Sequence, residues 1–81
     1  MQQVLTDLAL RIKQRRKELK ISQIKLAQMC GVTYSSIKRF EQTGNCSFSL
    51  ILKIAKELDY LDDFDQLFKR PAITNLKDVK I

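Results

Sequence analysis

Three residues punctuate the backbone of this chain: Gly31, Gly44 and Pro71. With two glycines and one proline in 81 residues, there are few places for the tight reversals that β-structure needs. Leu, Lys, Ile and Gln dominate between them, and all but β-branched Ile lose little freedom in a helix. The expected fold class is all-α. A chain of this length buries only roughly 60% of the surface its unfolded form exposes, enough for one modest core and little deep-pocket architecture. It contains no histidine, and so lacks the commonest neutral-pH acid/base and the commonest nitrogen metal ligand. Cys30 and Cys46 do not have metal-site spacing, and are expected to act as small apolar residues in a reducing compartment. No cofactor, no metal and no catalysis are expected. The opening residues carry no basic cluster, and Asp7 interrupts the first apolar group, so they do not read as a secretory leader. Apolar runs such as Leu50-Ile51-Leu52 stop far short of the roughly 20 residues of a membrane span. The expectation is a cytoplasmic protein away from the membrane.

Five segments carry the helical period. The first spans about 3–19, with Val4, Leu5, Leu8, Ile12 and Leu19 on its apolar side. Ser22 can cap a second, 23–30, whose inner face holds Leu26, Ala27 and Cys30. Gly31 ends it where a left-handed residue is needed. After the turn Gly31-Val32-Thr33, Thr33 can cap a third helix, 34–42. In that register Ile37, Phe40 and Glu41 share one face, and Tyr34, Ser35, Lys38, Arg39 and Gln42 share the other. Residues 43–46 read as a loop, and Ser47 opens a fourth helix to about Leu58 with Leu50, Ile51, Ile54, Ala55 and Leu58 as its stripe. A fifth helix is expected over 61–68, with Leu61, Phe64, Leu67 and Phe68 facing in. The domain is expected to cover 1–68, and 69–81 to form a C-terminal tail: an arm, a short element or disorder.

The net charge of +6 is unevenly placed. Arg11, Lys13, Arg15, Arg16, Lys17, Lys20, Lys25, Lys38 and Arg39 precede residue 43 against Asp7, Glu18 and Glu41, whereas the remainder is balanced. The whole excess therefore lies in the half holding the first three helices, as a localised anionic partner such as nucleic acid would need. A merely solvated helix surface is the plain alternative. From Glu57 to Asp65 five acids follow with no basic residue, a surface expected to face away from DNA and to serve a protein contact or only solubility.

Two short helices joined by a glycine turn and flanked by longer amphipathic helices describe a helix-turn-helix. The stretch 21–44, ISQIKLAQMCGVTYSSIKRFEQTG, closely resembles the Xre/Cro-type helix-turn-helix of phage repressors, and 47–58, SFSLILKIAKEL, resembles that family's fourth helix. The resemblance implies a five-helix lambda-repressor-like fold and a bacterial or phage-encoded protein that works on DNA. Ala27, Gly31, Val32 and Ile37 fall at the family's scaffold positions, where a small residue, a sharp turn and two buried anchors set the angle between helices. Those four fit any tight helical corner equally well and leave the ligand open.

The ligand is argued by the outer face of the third helix. A helix fits the major groove of B-DNA, and Tyr34, Ser35, Lys38 and Arg39 would meet base edges there, Arg39 through a bidentate contact to guanine O6 and N7. Phosphate contacts are expected from Gln23, matching a family glutamine in the first turn of the second helix, and from Thr33, Ser36, Thr43 and Asn45. In the family's pattern an arginine ending the first helix pairs with a glutamate ending the third, and Arg16 and Glu41 stand at those positions. This implies a structural ion pair, because a carboxylate on a core face needs a cation.

The leading expectation is a sequence-specific regulator of double-stranded DNA, a repressor acting as a homodimer. A DNA-binding antitoxin with a toxin partner suits the same size. A protein-interaction module that kept the fold and lost DNA binding is the competing class, but a basic recognition face argues against it.

Overall fold

The computed structural model describes residues 1–72, and the expected tail beyond 72 lies outside them. Those residues form four α-helices, α1 (Gln2–Glu18), α2 (Gln23–Cys30), α3 (Tyr34–Thr43) and α4 (Phe48–Glu57), followed by one 3₁₀-helix, η1 (Leu61–Gln66). The described residues are all-helical, with a lambda-repressor-like arrangement in which α3 packs on α1 and α2, and α4 on α2 and η1.

Hydroxyls start three of the helices. Ser22, Thr33 and Ser47 each sit in extended backbone and accept a hydrogen bond from the amide three residues on. Each satisfies a donor that a helix start otherwise leaves orphaned. The helix ends close by one recurring device. Ile21 N donates to Arg16 O and Lys20 N to Lys17 O; Val32 N donates to Ala27 O and Gly31 N to Gln28 O; Tyr60 N donates to Ala55 O and Asp59 N to Lys56 O. These are Schellman closures, with left-handed residues Lys20, Gly31 and Asp59 at φ of 58°, 68° and 67°. Only the middle one uses glycine.

The core is Ala9, Leu26, Ala27, Ile37, Phe40, Leu50, Ile51, Ile54 and Leu58. Leu26, Ile37, Phe40 and Ile54 are fully enclosed, and each such side chain contributes about 1.5–3 kcal/mol relative to leaving it in water. Cys30 and Cys46 pack against the core as free thiols. Burial pushes both thiols up from their ordinary value, and Glu57 raises Cys30 further against the opposing Lys53, so both are poor nucleophiles.

Several expectations are corrected. The inward stripe of α1 runs through Leu5, Leu8, Ala9, Ile12 and Arg16, while Val4 and Leu19 are exposed. Leu19 has already left the helix as its C-cap, and Val4 lies off the buried stripe. Thr43 belongs to α3 rather than to the following loop, because Gly44 N reaches back to Phe40 O and extends the ladder. The fifth segment is a 3₁₀-helix ending at Gln66, and Leu61, Leu67 and Phe68 are exposed; only Phe64 packs inward, edge-on to Phe48 at 5.9 Å. Three aspartates in six residues disfavour a longer α-helix, and Leu67, in extended backbone at φ −64° and ψ 128°, and Phe68, at φ 62°, have already left the segment.

Gly44 is held more tightly than Gly31. Both have positive φ, but a Cβ at 31 would meet nothing within 4 Å, whereas at 44 it would lie 3.0 Å from the carbonyl carbon of Leu5 and 3.1 Å from its oxygen. Gly31→Ala is therefore expected to cost about 1–2 kcal/mol, the left-handed penalty alone. Gly44→Ala should cost about 1–3 kcal/mol more, because backbone of α1 must give way. Urea unfolding of the two variants beside the parent checks this, and equal losses would refute the close approach.

Candidate nucleic-acid interface

The recognition surface follows from how α3 is anchored. Ile37 and Phe40 are fully buried, and this fixes the roll of the helix; Tyr34, Ser35, Lys38, Arg39 and Gln42 are then exposed on its outer side. Only Gly31, Val32 and Thr33 separate α3 from α2, and half-buried Val32 packs on the core with Ala27. Of the four residues at the helical corner, Ala27 and Ile37 are buried, Val32 is half-buried and Gly31 is exposed in the turn.

On the outer face, Lys38 Nζ lies 6.0 Å from the centre of the Tyr34 ring. A cation over a ring one turn away is worth about 0.5–1 kcal/mol at an exposed site, enough to bias both side chains along the helix. Arg39 forms no ion pair among the described residues and lines a recess of about 250 Å³ between α3 and α4 with Ser36, Asn45, Ser47, Ser49 and Lys53. Ser49 and Lys53 were not legible as neighbours of Arg39 in the sequence. They lie a whole helix downstream, and only the packing of α4 brings them there.

The hydroxyl residues are less free than their positions suggest. Thr33 Oγ1 accepts from Ser36 N at 3.2 Å and lies 2.8 Å from Ser36 Oγ and 3.2 Å from Ser35 Oγ. The three hydroxyls form one cluster at the start of α3. Thr43 donates its only hydroxyl proton to Arg39 O at 2.7 Å and accepts from Asn45 N at 3.0 Å, so as placed it closes the helix and has no proton left for a phosphate. The Asn45 side chain is exposed.

Arg16 and Glu41 come together as expected. Arg16 Nε and Nη2 donate to the two carboxylate oxygens at 2.7 and 2.9 Å, a bidentate pair whose side chains are 8% and 2% exposed. Arg16 Nη1 also donates to Ile21 O at 2.7 Å and ties the α1–α2 link into the same group. Sequence reasoning missed a third partner: Gln23 Nε2 donates to Glu41 Oε1 at 2.9 Å. A carboxylate only accepts, so the amide must turn its NH₂ inward, which leaves one N–H of Gln23 for an outside acceptor. The Gln23 amide is thereby oriented from inside the fold.

An anchored, cap-started helix with a polar, cation-bearing outer face, set on a partner helix by a left-handed glycine, defines a helix-turn-helix DNA-binding protein. Residues 12–63 match a family described as helix-turn-helix. The chain belongs to this Xre/Cro-like helix-turn-helix family of DNA-binding regulators. Comparison with curated proteins and with solved structures found no match. Among the described residues, no helix is long and apolar enough to cross a membrane.

Proposed function

We propose that the protein is a sequence-specific repressor that binds double-stranded DNA as a homodimer, with the two α3 helices entering successive major grooves about 34 Å apart. The observation that carries this reading is the division of α3: Ile37 and Phe40 wholly enclosed, Tyr34, Ser35, Lys38 and Arg39 wholly on the other side. Those four residues read bases, with Arg39 on guanine. Gln23, Thr33, Ser36 and Asn45 hold the phosphate backbone, with Thr43 joining them if its hydroxyl turns, and Lys53 adds a charge from α4. Domain 1–68 supplies all of these groups, and occupancy of the groove is sufficient to block a promoter.

Selection of bound sequences from a random duplex pool tests the proposal. A recovered palindrome with half-sites about one helical turn apart is expected. Affinity for it should fall about 10- to 150-fold between 50 and 200 mM salt if two to four cations meet phosphates. Binding with no recovered motif would overturn sequence-specific reading. No DNA binding at low salt would leave a protein-interaction module.

A further inference from the structure

A groove of about 360 Å³ runs between α1 and η1, floored by Ile51, Ile54 and Leu58 of α4. That volume lies at the small end of ligand pockets, with room for roughly a dozen non-hydrogen atoms at the ~30 Å³ a water molecule occupies in the liquid. Among the described residues, no part of α2 or α3 lines it. Polar groups stand on its two walls. Arg11 and Arg15 line it from α1; Tyr60 and Asp63 line it from the η1 side, with Asp62 and Asp65 on the same element. The Arg15 guanidinium is only partly engaged. Its Nη2 pairs with Glu18 at 3.1 Å, and the two side chains are 41% and 62% exposed. Its Nε is buried and has no acceptor among the described residues, although a buried donor is normally matched on folding.

We infer that this groove is a binding site for a small aliphatic carboxylate, its chain on the α4 floor and its carboxylate on Arg15 and Arg11. Each half of that ligand answers a separate observation. The floor is hydrocarbon, and an alkyl chain leaves water for it in proportion to the area it buries. The unmatched Nε–H calls for an acceptor, and a carboxylate is the strong one: within this same chain Arg16 Nε donates to the Glu41 carboxylate at 2.7 Å. The Glu18 pair does not compete for that proton, because it uses Nη2 and is the weak kind that exposed side chains form. Charge sets the sign of the ligand. Two guanidinium groups line the groove against one carboxylate, and Asp63 is exposed, where water and salt screen it. A cationic amphiphile would set its charge against a donor and leave the Nε–H unmatched. A neutral alcohol would fill the floor but forgo the charge-assisted contact. The inference stands apart from the DNA reading, since it uses none of the residues assigned to bases or phosphates.

The test is titration of the full chain with sodium heptanoate, followed by NMR and by the melting temperature, beside heptanol, heptylammonium and acetate. Heptanoate is expected to bind at one site with a dissociation constant of about 1 mM or below. It should raise the melting temperature and give nuclear Overhauser contacts to the methyl groups of Leu8, Ile51 and Leu58. Heptanol should bind about tenfold more weakly, and heptylammonium and acetate more weakly still. Arg15→Gln should weaken heptanoate about tenfold and leave heptanol unchanged. Its own melting temperature should match the parent's, because the Glu18 pair it loses is exposed. Leu67→Asn, at a groove residue 49% exposed, should weaken heptanoate and heptanol alike. Heptanoate and heptanol bound equally, or an Arg15→Gln variant that holds heptanoate like the parent, would overturn the carboxylate assignment. A parent that binds none of the four, or that shows no contacts to the three methyl-bearing residues, would overturn the site. So would contacts from residues 73–81 to those methyls that heptanoate does not displace, which would assign the groove to the chain itself. Heptanoate affinity that falls as protein concentration rises would overturn it too, and assign the groove to a second copy.

Discussion

Glu41→Ala is expected to remove about 3–5 kcal/mol of stability and to lower the melting temperature by about 15 °C or more. The substitution leaves Arg16 enclosed, 8% exposed at its side chain, with a positive charge and only the Ile21 carbonyl to meet it. It also frees Gln23 from its only side-chain hydrogen bond among the described residues. Small domains have total stabilities near the low end of about 5–15 kcal/mol, so a substantial unfolded population should appear at room temperature. The double variant Arg16→Met, Glu41→Leu should lose less than Glu41→Ala alone, because desolvating two charges offsets much of what their attraction returns. Thermal melts of both variants check this. A single variant that melts with the parent would show that the pair does not hold α1 against α3.

Arg39→Ala is expected to leave the melting temperature unchanged and to relax discrimination at one operator position by about 1–3 kcal/mol, or roughly 5- to 150-fold. The side chain is exposed and has no carboxylate partner among the described residues, so its removal costs the fold little. Arg39→Lys should not restore the preference, because an ammonium lacks the planar fork that matches guanine O6 and N7. Competition binding on duplexes altered one base pair at a time reads the outcome. A uniform loss on every duplex would make Arg39 a phosphate contact instead. Lys53→Ala on the far side of the same recess serves as the contrast: equal weakening on all sequences, and a salt slope shallower by about one.

How far the sequence foretold this molecule depends on how local each determinant is. Ser22, Thr33 and Ser47 act on amides three residues away, and the helix starts were legible from them. Gly31 was legible because only its conformation explains a glycine between two helical runs. The matching ends at Lys20 and Asp59 were not, since the left-handed geometry there is imposed on residues that do not advertise it. The Arg16–Glu41 pair could be named because the carboxylate's core-side register required a cation and the family pattern supplied one. Gln23 joining that pair was hidden, because nothing in its own helix says that its amide turns inward. The fifth segment was misjudged for a physical reason: with three aspartates in six residues it ends at Gln66, so Leu67 and Phe68 lie beyond the helix whose face they were assigned to. On the interface, the outer face of α3 was legible from periodicity alone, whereas the approach of Lys53 and Ser49 to Arg39 depends on tertiary packing.

The contact between Gly44 and Leu5 bears on how this recognition helix could be transplanted. It is backbone against backbone, reinforced where Gln2 Nε2 donates to Thr43 O at 2.9 Å, and its only trace in the sequence is one missing side chain. Grafting Tyr34 to Arg39 onto another helical scaffold would carry the reading side chains but not their aim. The aim is set where the first turns of α1 pass over the far end of α3. A recipient would need an equally bare position at that crossing, and a donor segment cut at Gln42 would leave the alignment behind.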